Sequence, residues 1–190
     1  MKRTVMAISI VAMLSAFSPA LNPLPAQDAA NRAGVILGHH AAPREGYTTG
    51  AIPQADLNTI IQTGVRAPSA ANRQPWFFTV VQNAELGKKI VPQMVQGNVI
   101  IVISTEGTTN REILDCGLAT QSIYLAAQAL GYGSRIYTGP VEEINKNLKG
   151  ELGLPANRNA VAAVWVGRVR ADAVSGASPR KTANETVTYK

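Results

Sequence analysis

Apolar positions along the chain switch between helical and strand spacing, and the switches predict a series of elements. Leu57, Ile60, Ile61 and Val65 recur at i, i+3, i+4 and i+8, the stripe of a one-sided helix that opens near Ile52. Pro53 suits its first turn, where a missing N–H is not needed. Residues 77–81 read as an apolar strand. Residues 85–96 can form a short helix, which Pro92 breaks or kinks. Residues 98–104 are a β-branched run bounded by polar residues, the pattern of a strand buried on both faces. Thr109-x-x-Glu112 is a capping box ahead of a helix that is apolar or small nearly all round from 113 to 130. Such a helix is buried inside a domain or between subunits. Gly131 and Gly133 end it and open a strand over 134–138. A short helix over 145–152, a buried strand over 161–169 and an edge-strand alternation over 186–189 complete the chain. Helix and strand in alternation predict an α/β (α+β) three-layer domain.

The chain has 190 residues, the size of one domain. At 46% hydrophobic and 16% charged it has ample material for a core and no signature of disorder. The formal charge is +6, falling to +4 without Lys2 and Arg3. No later run of Lys or Arg exceeds two residues, so the clustered charge of a nucleic-acid surface is absent.

Residues 1–26 have the layout of a secretion signal. Lys2 and Arg3 form a positive start, and 5–17 is an apolar stretch short for a bilayer. Leu24-Pro25-Ala26 is the preferred cleavage site and Ser18-Pro19-Ala20 the second; an uncleaved anchor is the alternative. No second hydrophobic span follows. The expectation is an exported protein, periplasmic in a Gram-negative source, with a loose arm over 27–46 and the domain over 47–190.

Cys116, the single cysteine, excludes an intramolecular disulfide and falls in the middle of an apolar helical run, as a buried core residue does. His39 and His40 are adjacent, with no ligand spacing around them, so neither a metal site nor a histidine-based nucleophile is expected. Gly131-Tyr-Gly133 follows a helix and opens a strand, which is the wrong context for a dinucleotide fingerprint.

Between the first helix and the first strand lies Arg66-Ala-Pro-Ser-Ala-Ala-Asn-Arg-Gln-Pro-Trp76. Pro68 and Pro75 drive Ala67 and Gln74 out of the α region. A loop stiffened in this way can be a plain connector. It can equally present backbone groups and short polar side chains to a flat, heteroatom-rich ligand at little ordering cost.

The run Ala67 to Trp76 resembles the A-P-S-x-x-N-x-Q-P-W signature of the FMN-dependent nitroreductase family. Three further pieces resemble that family in the same order. They are Asp115 to Ser134, the long helix with its Gly-x-Gly exit; Leu152-Gly-Leu-Pro155 with Ala160 to Gly167; and the tail Ser178-Pro-Arg-Lys181 to Tyr189. The resemblance covers about residues 47 to 190.

It implies a mixed β-sheet flanked by helices and an intertwined homodimer holding FMN at its interface. NAD(P)H would reduce the flavin, which would pass electrons to a small-molecule substrate. It implies no catalytic side chain. Carried over by position, Pro68, Ser69, Ala70 and Asn72 would touch the flavin ring and ribityl chain, and Gln74 would support them. Tyr137 and Thr138 would border the ring. Arg180 would meet the phosphate, with Lys181 as an alternate.

The chain departs from the family in two places. Counting back from Tyr47, the Arg-Arg-Ser-x-Arg motif that grips the phosphate and ribityl chain falls on Ala41, Ala42, Pro43, Arg44 and Glu45. Arg44 is the candidate replacement. Losing one or two charged hydrogen bonds, at ~1.5–3 kcal/mol each, would weaken FMN roughly ten- to several-hundred-fold or more. The connection between the strands at 77–81 and 99–103 is also shorter than the family's usual helical insert, implying a more open site. A non-catalytic or altered-ligand protein on the same dimeric fold is the alternative.

Overall fold

A computed structural model describes residue 34 and residues 36–173 and 178–190. The signal reading on 1–26 lies outside the described residues, as does the start of the arm over 27–46.

The sequence order of the elements holds. α1 is Gln54–Val65, β1 Phe77–Val81, α2 Ala84–Lys88, β2 Val99–Thr105, α3 Asn110–Ala129 and β3 Gly133–Tyr137. A helical run follows as α4, Val141–Glu143, a π turn, Ile144–Leu148, and α5, Lys149–Leu152. β4 is Asn159–Gly167 and α6 is Ala183–Thr186. Thr109 and Glu112 form the expected capping box at the start of α3.

Three boundaries differ from the sequence reading. The helix expected over 85–96 stops at Lys88, and Pro92 lies beyond it among turns, because its ring excludes it from a helix interior. The helix expected from 145 starts at Val141, immediately after Pro140. The edge strand expected over 186–189 is absent. Glu185 accepts from the N–H and hydroxyl of Thr182 at 2.7 and 2.8 Å, and that second capping box winds Ala183–Thr186 into a helical turn. Tyr189 beyond it is 90% exposed, and residues 186–189 pair with none of the four strands.

The strands lie in the order β1-β2-β4-β3, and all three pairings are antiparallel. The parallel pairing that a mixed sheet needs is not among them. Both faces are covered, which makes three layers. On one face Ile101, Ile103, Val164 and Val166 meet α1 and α3 through Ile60, Cys116, Ala119 and Ile123. On the other, Ile100, Val102 and Trp165 meet Ile144, Leu148 and the turn around Val91 and Met94. Burial on both faces explains why β2 reads as an unbroken β-branched run.

α3 does not fill the interior alone. Cys116, Ala119, Ile123 and Ala127 face the sheet at 0% exposure, whereas Ile113, Leu114 and Leu118 on the other side are 46%, 63% and 37% exposed. Among the described residues, no helix is long and apolar enough to cross a membrane.

Candidate functional site

The signature loop is held in an unusual backbone conformation. Ala71, Asn72 and Gln74 all have positive φ, at 53°, 54° and 48°, in a region that residues with a Cβ adopt only under constraint. The constraints are visible. Both carboxylate oxygens of Asp115, which is 3% exposed on α3, accept from the Ala70 N–H at 3.1 and 3.2 Å. Ser69 Oγ accepts from the Gln74 N–H at 3.0 Å, and Gln74 Nε2 donates to Asn72 O and Oδ1 at 3.3 and 3.2 Å. Arg158 Nη1 donates to Pro75 O at 3.1 Å while Nη2 pairs with Glu106. Ser69 and Gln74 thus brace the loop itself. Asn72 and Pro68 stay exposed, and Ala70 is pinned to α3.

A cavity of about 280 Å3 lies along another face of α3. Ile113, Gly117 and Thr120 line it from one face of α3, and Ile136 and Thr138 from the end of β3. Val161 and Ala162 close it from β4. Consecutive strand residues ordinarily point to opposite faces. Here the β2–β4 register slips between Ile103, opposite Ala162, and Ser104, opposite Ala160, and this bulge turns both residues to the cavity. Asn145 braces the bulge, accepting from Ala160 N at 2.7 Å and donating to Ala160 O at 3.0 Å.

The walls are mostly apolar, with two threonine hydroxyls and no acid or base. Thr120 already donates to Cys116 O at 2.7 Å. Burial, reinforced by Asp115 and Glu112, pushes the Cys116 thiol up to about 11, so it is not a nucleophile at neutral pH. A second cavity of about 270 Å3 lies against the loop and has charged walls, lined by Arg73, Gln74, Glu106, Glu112 and Arg158.

The remaining sequence candidates lie elsewhere. Pleat alternation sends Thr138 and Ile136 into the cavity but Tyr137 to the opposite face, where it joins the Trp165 cluster. Arg44 Cζ stands 5.7 Å from the centre of the Tyr137 ring. Burial raises the Tyr137 hydroxyl pKa, and Arg135 and Arg44 oppose the rise. Arg180 acts near Tyr124, lowering a hydroxyl pKa that burial has raised. One chain therefore gathers the loop, Asp115 and the Thr138 cavity on the α3 face of the sheet, and Arg44 with Tyr137 on the other.

Sequence reading missed Asp115, Gly117, Thr120 and Ile136. The spacing of 113, 117 and 120 on one helix face was available in the sequence. The bulge that recruits Val161 and Ala162 was not.

A mostly apolar cavity and a rigid polar loop, both held by α3 on one face of a helix-covered sheet, define the candidate small-molecule site. The nitroreductase family model matches residues 40–98 and 87–168, and the chain belongs to the nitroreductase family. A protein of Archaeoglobus fulgidus, named as a candidate NADH dehydrogenase/NAD(P)H nitroreductase, is 34% identical over 134 residues. That alignment spans 64% of this chain and 76% of the relative. A similarly named protein of Methanothermobacter thermautotrophicus is 30% identical over 57% of this chain and 63% of its own length. Among solved structures, a Bacteroides fragilis nitroreductase with bound FMN matches at a TM-score of 0.71 and 22% identity. It covers 83% of this chain and 97% of its own. At that identity the likeness speaks for the fold.

Proposed function

We propose that the protein is an FMN-dependent oxidoreductase of nitroreductase type, taking electrons from NAD(P)H and delivering them to a small organic acceptor. The observation that carries this reading is the mostly apolar, acid-free cavity of Gly117, Thr120, Ile136, Thr138, Val161 and Ala162 on α3, the same helix that anchors the signature loop through Asp115. The residues fit a flavin: apolar walls suit the ring, hydroxyls and loop amides suit its heteroatoms, and arginines suit a phosphate. When bound, the flavin supplies the hydride and electron chemistry, so the lack of an acid or base in the lining is no obstacle. The chain's own part is to bind, orient and exclude water. Thr138 and the α3 face would position the ring, and Arg44 and Arg180 the phosphate, while the loop from Pro68 to Asn72 would set the ring's edge.

A homodimer is part of the proposal. At about 280 Å3 the cavity falls just short of the ~300–1,000 Å3 of a complete small-molecule pocket, and the loop and Arg44 lie on opposite sides of one chain's sheet. Exposed Ile113, Leu114 and Leu118 beside the cavity would supply the apolar contact through which a second copy completes it. Export to the periplasm, from the pattern of residues 1–26, is likewise proposed; N-terminal sequencing of the protein from its source would find Gln27 first.

One observation favours a second reading, an altered-ligand or non-catalytic member. Ala41, Ala42 and Pro43 replace the Arg-Arg-Ser of the family motif, and Glu45 adds a negative charge beside Arg44. An absorbance spectrum of the purified protein, before and after FMN addition and desalting, separates the two. A stoichiometric flavin band that NADH or NADPH bleaches supports the oxidoreductase. No band, with no quenching of FMN fluorescence on titration, supports the second reading.

A further inference from the structure

The arginine that the family motif would place at position 42 is missing, yet a guanidinium from elsewhere reaches that position. Arg135 Nη1 donates to Ala42 O at 3.0 Å, and Ala42 N donates to Ser134 O at 3.1 Å, so the segment around Ala42 lies along the free edge of β3. Arg135 Cζ stands 5.9 Å from the centre of the Tyr137 ring, the ring that Arg44 approaches at 5.7 Å. Two arginines from separate segments thus converge on one aromatic side chain. Neither takes part in an ion pair among the described residues. Glu45 also acts on the Tyr137 hydroxyl, but as the smallest of its influences. Arg135 also acts on Tyr124, together with Arg180. It is the residue common to both groups of cations.

We infer that Arg135 is a phosphate ligand of the flavin site, standing in for the arginine absent at Ala42 and acting with Arg44 and Arg180. The inference rests on the flavin reading above. The ligand class is a phosphomonoester, here the terminal phosphate of FMN. The chemistry favours it in three ways. Two guanidinium groups at Tyr137 outnumber the carboxylate of Glu45 that acts there, and an anion relieves the excess positive charge. A guanidinium has five donors, and the Ala42 carbonyl engages one of them. The planar fork is also fixed in direction by that bond and by the Tyr137 ring, so little freedom remains to be lost on binding.

The test compares FMN with riboflavin, which has the same ring and ribityl chain without the phosphate. Wild-type protein, Arg135→Ala and Arg135→Gln are each titrated with both flavins by fluorescence quenching, with thermal unfolding as a folding control. Gln keeps a donor for the Ala42 carbonyl while removing the charge, so it separates anion binding from the structural tether. Both variants are expected to lose roughly tenfold to a hundredfold in FMN affinity, to bind riboflavin within about twofold of wild type, and to show a shallower salt dependence for FMN. Equal weakening of both flavins in Arg135→Gln, or no weakening of FMN in either variant, overturns the inference while leaving the flavin reading intact. Wild-type protein that binds neither flavin overturns both.

Discussion

The buried carboxylate of Asp115 holds the Ala70 N–H with both of its oxygens, at 3.1 and 3.2 Å. This bond joins the strained part of the signature loop to the helix that lines the cavity. Asp115→Ala leaves a backbone donor without its partner, which costs about 1–3 kcal/mol, and releases three residues held at positive φ. Flavin affinity should fall with it, whereas Asp115→Asn keeps one acceptor and most of the affinity. Urea unfolding and flavin titration of the two variants check this. Equal affinity in Asp115→Ala and wild type would show that the loop needs no anchor.

Beneath the sheet, Asn98 connects three segments. Its Oδ1 accepts from Trp165 Nε1 at 3.0 Å and its Nδ2 donates to Thr48 O at 2.9 Å, and both side chains are 0% exposed. Tyr47 stacks on the same indole at 3.7 Å between ring centres. Asn98→Ala strands a donor and an acceptor together, at ~1–3 kcal/mol each, so a loss of roughly 2–6 kcal/mol is expected. Chemical denaturation measures it; a loss below ~1 kcal/mol would mean that water replaces both bonds.

Acid should loosen the start of α3. The hydroxyl and N–H of Thr109 donate to Glu112 at 2.7 and 3.1 Å and hold its carboxyl below the ordinary value of 4.5. A carboxylate whose pKa is lower in the folded state stabilises that state above its ordinary pKa, and the contribution disappears as pH falls through the folded value. Glu185 is lowered in the same way by Thr182. Glu112→Gln should therefore flatten the decline of stability between about pH 5 and pH 3, and adding Glu185→Gln should flatten it further. Unfolding midpoints across that range decide; a slope unchanged in the double variant would contradict the bonds.

How much of this was legible in the sequence depends on the range of the interaction. The α3 cap at Thr109 and Glu112 is local chemistry, and it appeared where the spacing put it. The burial of Cys116 followed from an apolar run. The tail failed because the alternation from Thr186 to Tyr189 is only a preference. A strand needs a partner, whereas Thr182 and Glu185 need only each other. Tyr137 and Thr138 are neighbours in sequence, but the pleat sends their side chains to opposite faces of the sheet, a separation their adjacency does not show. Asp115 and Arg135 act on residues 45 and 93 positions away, a relation no local pattern carries.

Cys116 should behave as an inert thiol. It is 0% exposed and its pKa is pushed up to about 11, so at pH 8 only about one molecule in a thousand carries a thiolate. Reaction with a thiol reagent should wait on unfolding and show a rate independent of reagent concentration at high excess. A fast, concentration-dependent reaction in native buffer would mean that α3 opens locally.

Gly117 allows stability and binding to be moved in opposite directions. It lies in the interior of α3, on the face that lines the cavity, and a Cβ added there meets nothing within 4 Å. Glycine in a helix interior is less favourable than alanine by roughly 0.8–1 kcal/mol, so Gly117→Ala should raise the unfolding midpoint. Gly117→Leu keeps that gain but extends a branched side chain toward Ile136 and Thr138, into the space assigned to the flavin ring. It should fold at least as stably as wild type and lose flavin binding. A destabilised Gly117→Ala would show that the position is crowded in the assembled protein, as it would be against a second copy. Undiminished flavin affinity in Gly117→Leu would move the ring out of this cavity. It would go to the charged one against the loop, where Arg73, Gln74 and Arg158 would have to hold it.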